Sequence, residues 1–91
     1  MSSREYIVNV ASPLRSYTKG ASRVKAAGNT LTEILADLEQ QFPGMRFRMI
    51  DEQNRVREHI RLAVNTEITG DLSHLVKPGD VIHLLCALSG G

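Results

Sequence analysis

Short runs in which apolar and polar residues alternate, one capped helical stripe, and Gly, Pro, Asn and Asp clusters between them predict an α+β domain of two layers, one helix on one mixed sheet. The stripe is Leu31, Ile34, Leu35, Leu38 and Phe42, whose three- and four-residue spacing puts them on one helical face. The alternation is plainest in Tyr6, Val8 and Val10 and in Ile60, Leu62 and Val64, the pattern of strands buried on one side.

In chain order, Tyr6 to Val10 is the first strand, and Ser12-Pro13 ends it because proline has no amide to donate to a ladder. Leu14 to Gly20 reads as a loop, and Ser22 to Ala26 as a second, mostly exposed strand that returns beside the first. Thr30-Leu31-Thr32-Glu33 forms a capping box: the Thr30 hydroxyl accepts from the Glu33 amide, and the Glu33 carboxylate reaches back. Burying each member of the stripe is worth roughly 1.5–3 kcal/mol, which makes it the largest block of the core. Pro43-Gly44 stops the helix. Met45 to Ile50 fits neither period cleanly, because Arg46 and Arg48 alternate with Phe47 and Met49. Asp51-Glu52-Gln53-Asn54 is a turn cluster, and Ile60 to Val64 is the next strand. Asn65-Thr66 and Gly70-Asp71 begin turns, and Leu72 to Val76 reads as a single helical turn. Lys77-Pro78-Gly79-Asp80 is a strong turn before the last strand, Val81 to Leu88. The order is thus strand, strand, helix, strand, a short strand and a final strand.

A chain of 91 residues and 10.1 kDa has room for one domain. Cys86 is the only cysteine, which excludes an intrachain disulfide and a thiolate zinc cluster, and His59, His74 and His83 share no metal-ligand spacing. The formal charge of +1 excludes the strong field of a dedicated nucleic-acid binder. Ala27-Gly28-Asn29-Thr30 precedes the helix without the lysine or spacing of a phosphate loop, and no nucleophile–base–acid set is present, so intrinsic catalysis is not expected. The longest apolar stretch, Val81 to Leu88, is too short to span a bilayer, and no apolar signal core follows Met1 to Glu5. The expectation is a cytoplasmic protein with no membrane or nucleic-acid partner.

Three further features of the sequence bear on function. Cys86 alternates with Ile82, Leu84 and Leu88 and belongs to a buried strand face, where a thiol is inert. Val81, His83, Leu85 and Ala87 share the opposite face; with one helix covering one side, that face offers a docking patch with His83 and Leu85 as its candidates. Arg46, Arg48, Arg55, Arg57 and Arg61 make a local basic excess over Asp51, Glu52 and Glu58 that reads as a solvated surface, with docking of an acidic partner as the alternative use. Phe47 alone among them is too few platforms for single-stranded RNA.

The last residues are the most informative. Leu88-Ser89-Gly90-Gly91 ends the sequence in a thin arm that can extend on the order of 13 Å. Without a Cβ, Gly90 and Gly91 fit a slot that admits only backbone, and the tail frays readily from a sheet. A carboxylate presented this way is a poor acyl group until ATP converts it to an acyl-adenylate, which sulfur can then attack to leave a thiocarboxylate.

Taken together, Thr30-Leu31, Leu38-Glu39 with Phe42-Pro43-Gly44, Phe47-Arg48-Met49-Ile50-Asp51, Val64-Asn65, Gly79-Asp80-Val81 and the terminal Gly90-Gly91 give the chain its resemblance. It resembles the ubiquitin-like sulfur carriers of the MoaD/ThiS family over nearly its whole length. The resemblance implies a β-grasp fold, with a mixed four- to five-stranded sheet on one main helix. The domain would occupy residues 1–91, with a flexible diglycine tail at 88–91. It also implies a carrier rather than an enzyme, with no cofactor of its own. Gly91 would be adenylated and carry the sulfur, and Gly90, Ser89 and Leu88 would be read by the partner. The implied partners are an adenylyltransferase related to ubiquitin-activating enzymes, which binds ATP and magnesium, a sulfide or persulfide donor, and a sulfur-accepting synthase. Cysteine, a thiocarboxylate metabolite, molybdopterin and thiazole are the outlets it admits. Family members often carry proline before the tail, where this chain has Cys86-Ala87-Leu88-Ser89. A ubiquitin-like modifier joined to lysines through Gly91, and a binding module with an incidental tail, are the competing readings.

Overall fold

In the computed structural model, which describes residues 5–86, the strands join in one five-stranded sheet. The elements are β1 (Glu5–Val10), β2 (Arg23–Ala27), α1 (Leu31–Gln41), α2 (Met45–Met49), β3 (Ile60–Val64), β4 (Glu67–Thr69) and β5 (Val81–Cys86). Their order across the sheet is β2-β1-β5-β3-β4. β1 and β5 run parallel, and the other neighbours are antiparallel. One face carries Tyr6, Val8 and Val10 of β1, Ala26 of β2, Ile60, Leu62 and Val64 of β3, and Ile82 and Leu84 of β5, all buried. Leu31, Ile34, Leu35 and Leu38 of α1 complete that core, and Phe42 packs at its margin, as the stripe predicts.

The Thr30 hydroxyl accepts from the Glu33 amide at 3.2 Å, but the Glu33 carboxylate takes the Asn29 amide at 2.6 Å rather than that of Thr30. The cap therefore reaches one residue further back than in the standard box. Further amides of the first helical turn find partners in the segment expected to be a helical turn, Leu72 to Val76. The Leu31 amide donates to the His74 carbonyl at 3.1 Å and the Thr32 amide to the Leu72 carbonyl at 2.9 Å, while the Val76 amide donates to Asn29 at 3.0 Å. That backbone is committed to satisfying the helix N-terminus, so it forms a turn and a bridge at Leu75 instead of a helix.

Two further expectations are corrected. Leu14 to Gly20 is no plain loop: Ser12–Thr18 winds into a 3₁₀ helix with Pro13 in its first turn, burying Leu14 and Thr18. The ambiguous segment Met45 to Ile50 contains α2, because Met45 and Met49 are one helical turn apart and both are fully buried. Gly44, at the start of α2, has no capping side chain, and Glu39 substitutes for it from α1. The Glu39 carboxylate accepts from the amides of Gly44 at 3.1 Å and Arg46 at 2.9 Å. These bonds, the Gly44 one foremost, hold its pKa below the ordinary carboxylate value.

Candidate functional site

β5 is the strand that leads to the C-terminal residues, and the fold anchors it on both sides. Its register pairs Ile82 with Val8 and Val64, and Leu84 with Val10 and Leu62. Its start is fixed by Asn65, which adopts a left-handed conformation at φ 59°. The Asn65 side chain donates to the Asp80 carboxylate at 2.9 Å and accepts the Val81 amide at 3.0 Å. The other Asp80 oxygen accepts the Lys77 amide at 2.9 Å. That amide, then the Asn65 side chain, hold the Asp80 pKa below its ordinary value. The pairs Val64-Asn65 and Gly79-Asp80-Val81 thus act together as the clasp that sets the register of β5.

At the far end of β5, Cys86 lies opposite Ile60 and packs, half-buried, against the core, on the face expected for it. His83 and Leu85 occupy the other face. His83 is half-buried between Asn9 and Ala63, with the Asn9 amide nitrogen 3.4 Å from its Nδ1. Leu85 is 36% exposed and stands opposite Arg61. Ile68 of β4, opposite Ala63, extends this surface and is 63% exposed. It was not anticipated from sequence, because a strand as short as β4 shows too little alternation to reveal which way its apolar residue points. Leu88, Ser89, Gly90 and Gly91 lie outside the described residues.

A second surface adjoins the same end of the sheet. Arg57 stacks over the Phe47 ring at 4.4 Å from its centroid, and its Nε donates to the Phe47 carbonyl at 2.6 Å. Phe47 is 62% exposed. With Tyr17, Gly44, Arg48 and Arg57 it lines an open depression of about 390 Å³. The neighbouring turn is held by Asp51, whose carboxylate accepts the amides of Arg55 and Gln53, the Arg55 bond foremost in holding its pKa down. Among the described residues, no three His, Cys, Asp or Glu side chains converge as a metal set, and no helix is long and apolar enough to cross a membrane.

The family pattern of ThiS matches residues 8–91. The sulfur carrier protein CysO of Mycobacterium tuberculosis is 32% identical over 89 residues, covering 92% of this chain and 96% of that protein. The crystal structure of the Amycolatopsis orientalis BexX/CysO complex contains a chain that superposes with a TM-score of 0.86 at 34% identity, covering 94% of this chain and 99% of that one. The crystal structure of Mycobacterium tuberculosis CysO gives a TM-score of 0.84 at 28% identity, covering 91% and 99%. A match over nearly the full length, on the β-grasp arrangement of strands that the resemblance implied, places the chain: it belongs to the ThiS family of ubiquitin-like sulfur carriers.

Proposed function

We propose that this protein carries sulfur as a thiocarboxylate on Gly91, with residues 1–91 acting as one carrier domain. The observation that carries the reading is the family match running through residue 91, joined to a central strand, β5, clasped at its start and paired on both sides. A partner's active site can receive a thin arm only if the arm's base is held still, and β5 provides that base.

The chemistry follows from the carboxylate. A Gly91 oxygen attacks the α-phosphorus of magnesium-bound ATP on an activating enzyme, and pyrophosphate leaves. Sulfide attacks the acyl carbon, and AMP leaves with the bonding electron pair. A persulfide donor instead leaves an acyl disulfide, and a thiol then attacks the donor-side sulfur, forming a disulfide and releasing the thiocarboxylate. The thiocarboxylate so formed gives its sulfur to a synthase. Gly90, Ser89 and Leu88 thread the partner's slot, while His83 and Leu85, extended by Ile68, dock its surface. The segment 46–60 is longer than in the compact thiazole carriers that the chain resembles less, which favours cysteine or a thiocarboxylate metabolite as the outlet.

Intact mass after incubation with the host activating enzyme, magnesium-ATP and a sulfur donor tests the reading. Replacement of one oxygen by sulfur at Gly91, absent when Gly91 is deleted or one residue is added after it, is the expected result. No mass change, with an activator shown to work on another carrier, overturns it. Lysine-linked higher-mass conjugates would instead assign the chain to modification.

A further inference from the structure

The near-zero net charge conceals a segregation, because the fold gathers the basic excess of 46–61 at one end of the sheet. Arg57 precedes β3, its carbonyl accepting the Ile60 amide at 3.0 Å and its amide donating to Met49 of α2 at 3.0 Å. Ile60 is in turn the partner of Cys86, and Arg61 that of Leu85. The arginine-bearing segment therefore surrounds the end of the sheet at which β5 leaves it. The 3₁₀ helix after β1 lies at this end too, since the Ala11 amide donates to Leu84 at 3.0 Å, and it brings Arg15, Lys19 and Tyr17. At the opposite end stand Glu5, Glu33, Glu67, Asp71 and Asp80.

The guanidinium groups at the β5 exit are held without being neutralised by a bonded partner. Arg46 donates to the Asn54 side-chain oxygen at 3.1 Å, Arg55 to Gln53 at 2.6 Å, Arg57 to the Phe47 carbonyl, and Arg61 to the Glu58 carbonyl at 2.8 Å. Every one of these acceptors is a neutral oxygen. Of the nearby carboxylates, Glu39 and Asp51 are occupied by backbone amides, and Glu52 and Glu58 accept no arginine hydrogen bond among the described residues. The Arg48 guanidinium makes no hydrogen bond among the described residues, and it lines the depression beside the exposed Phe47 ring.

We infer that this collar is a docking surface for an acidic face on the activating enzyme, Phe47 seating between carboxylate side chains that pair with Arg48, Arg57 and Arg61. The inference rests on the carrier reading and deepens it. Fixed arginines need little further ordering to bind carboxylates, and the opposed charge at the far end orients the carrier with its β5 exit toward an acidic partner before contact. A nucleic acid fits less well, because Phe47 and Tyr17 are the only aromatic platforms near the arginines.

The test is ATP–pyrophosphate exchange by the host activating enzyme as a function of carrier and salt concentration. Arg48→Glu/Arg57→Glu should raise the carrier KM about tenfold with kcat unchanged, and should flatten its salt dependence. Arg48→Lys, at the unstacked position, should stay within about twofold of the parent, and Lys77→Glu at the far end should leave KM unchanged. Arg48→Glu alone should shift KM in the same direction, which guards against a folding effect at Arg57. An unchanged KM in the double variant, with the parent active, overturns the inference and leaves the carrier reading standing. A parent that is not adenylated at all sinks the carrier reading instead. Anisotropy with a labelled glutamate-rich peptide and a labelled single-stranded oligonucleotide then still decides the surface: arginine-dependent binding of the peptide supports the acidic-protein assignment, and preference for the oligonucleotide overturns it.

Discussion

Gly28 and Gly20 allow a matched test of what holds the start of α1. Both have positive φ, 156° and 87°, but a Cβ placed at Gly20 meets nothing within 4 Å. One placed at Gly28 lies 2.7 Å from the Glu33 Cβ and 2.9 Å from both the Glu33 carbonyl carbon and the Ile34 nitrogen. Two of these atoms are helix backbone, so relief requires moving the first turn of α1. Gly20→Ala therefore bears only the conformational cost of a left-handed residue, roughly 1–2 kcal/mol. Gly28→Ala adds overpacking and the loss of the Thr30–Glu33 cap, for a total of roughly 3–6 kcal/mol. In a domain of this size each kcal/mol moves the Tm by about 4–8 °C, so Gly28→Ala should lower it by about 12 °C or more and Gly20→Ala by about two-thirds of that or less. Urea unfolding followed by circular dichroism measures both at equilibrium. If the two variants prove equally stable within about 1 kcal/mol, close approach is not what Gly28 provides, and the packing argument fails.

Leu84 and Leu85 are neighbours on β5 that face opposite ways. Leu84→Ala opens a cavity between Val10 and Leu62 and should cost about 2–5 kcal/mol, whereas Leu85→Ala should stay within about 0.5 kcal/mol of the parent. Equal losses by urea titration would contradict the assignment of the two faces. Acid should also destabilise the fold. Glu39, Asp51, Asp71 and Asp80 all have pKa values held below their ordinary ones, Asp71 chiefly by the Ser73 hydroxyl. A carboxylate depressed in the folded state contributes stability that is fully present above its unfolded pKa of about 4 and is lost as pH falls through the folded value. The urea midpoint should be flat with respect to these groups above about pH 5 and fall below about pH 4, and a midpoint that holds or rises on acidification would contradict the hydrogen-bond assignments.

The helix α1, its Thr30 cap, and the strand faces, including the side of β5 on which Cys86 lies, were determined by local pattern alone. Period and capping are properties of contiguous residues, and the sheet needs only to bury the side they mark. The resemblance, too, was legible in sequence, and its motifs turn out to be a clasp for β5 in Asn65 and Asp80 and a borrowed cap for α2 in Glu39. What local pattern misjudged were segments whose backbone answers to distant partners. Leu72 to Val76 forgoes a helical turn because α1 needs its carbonyls, and Met45 to Met49 coils because both methionines must reach one core. The same distinction governs the surface. Eleven basic and ten acidic side chains balance in total, and the tertiary structure, by bringing the arginine-rich segment before β3 to the end of β5, sets that local excess opposite Glu5, Glu33, Glu67, Asp71 and Asp80. Charge is additive along a sequence, but the field it makes depends on where the fold puts each group.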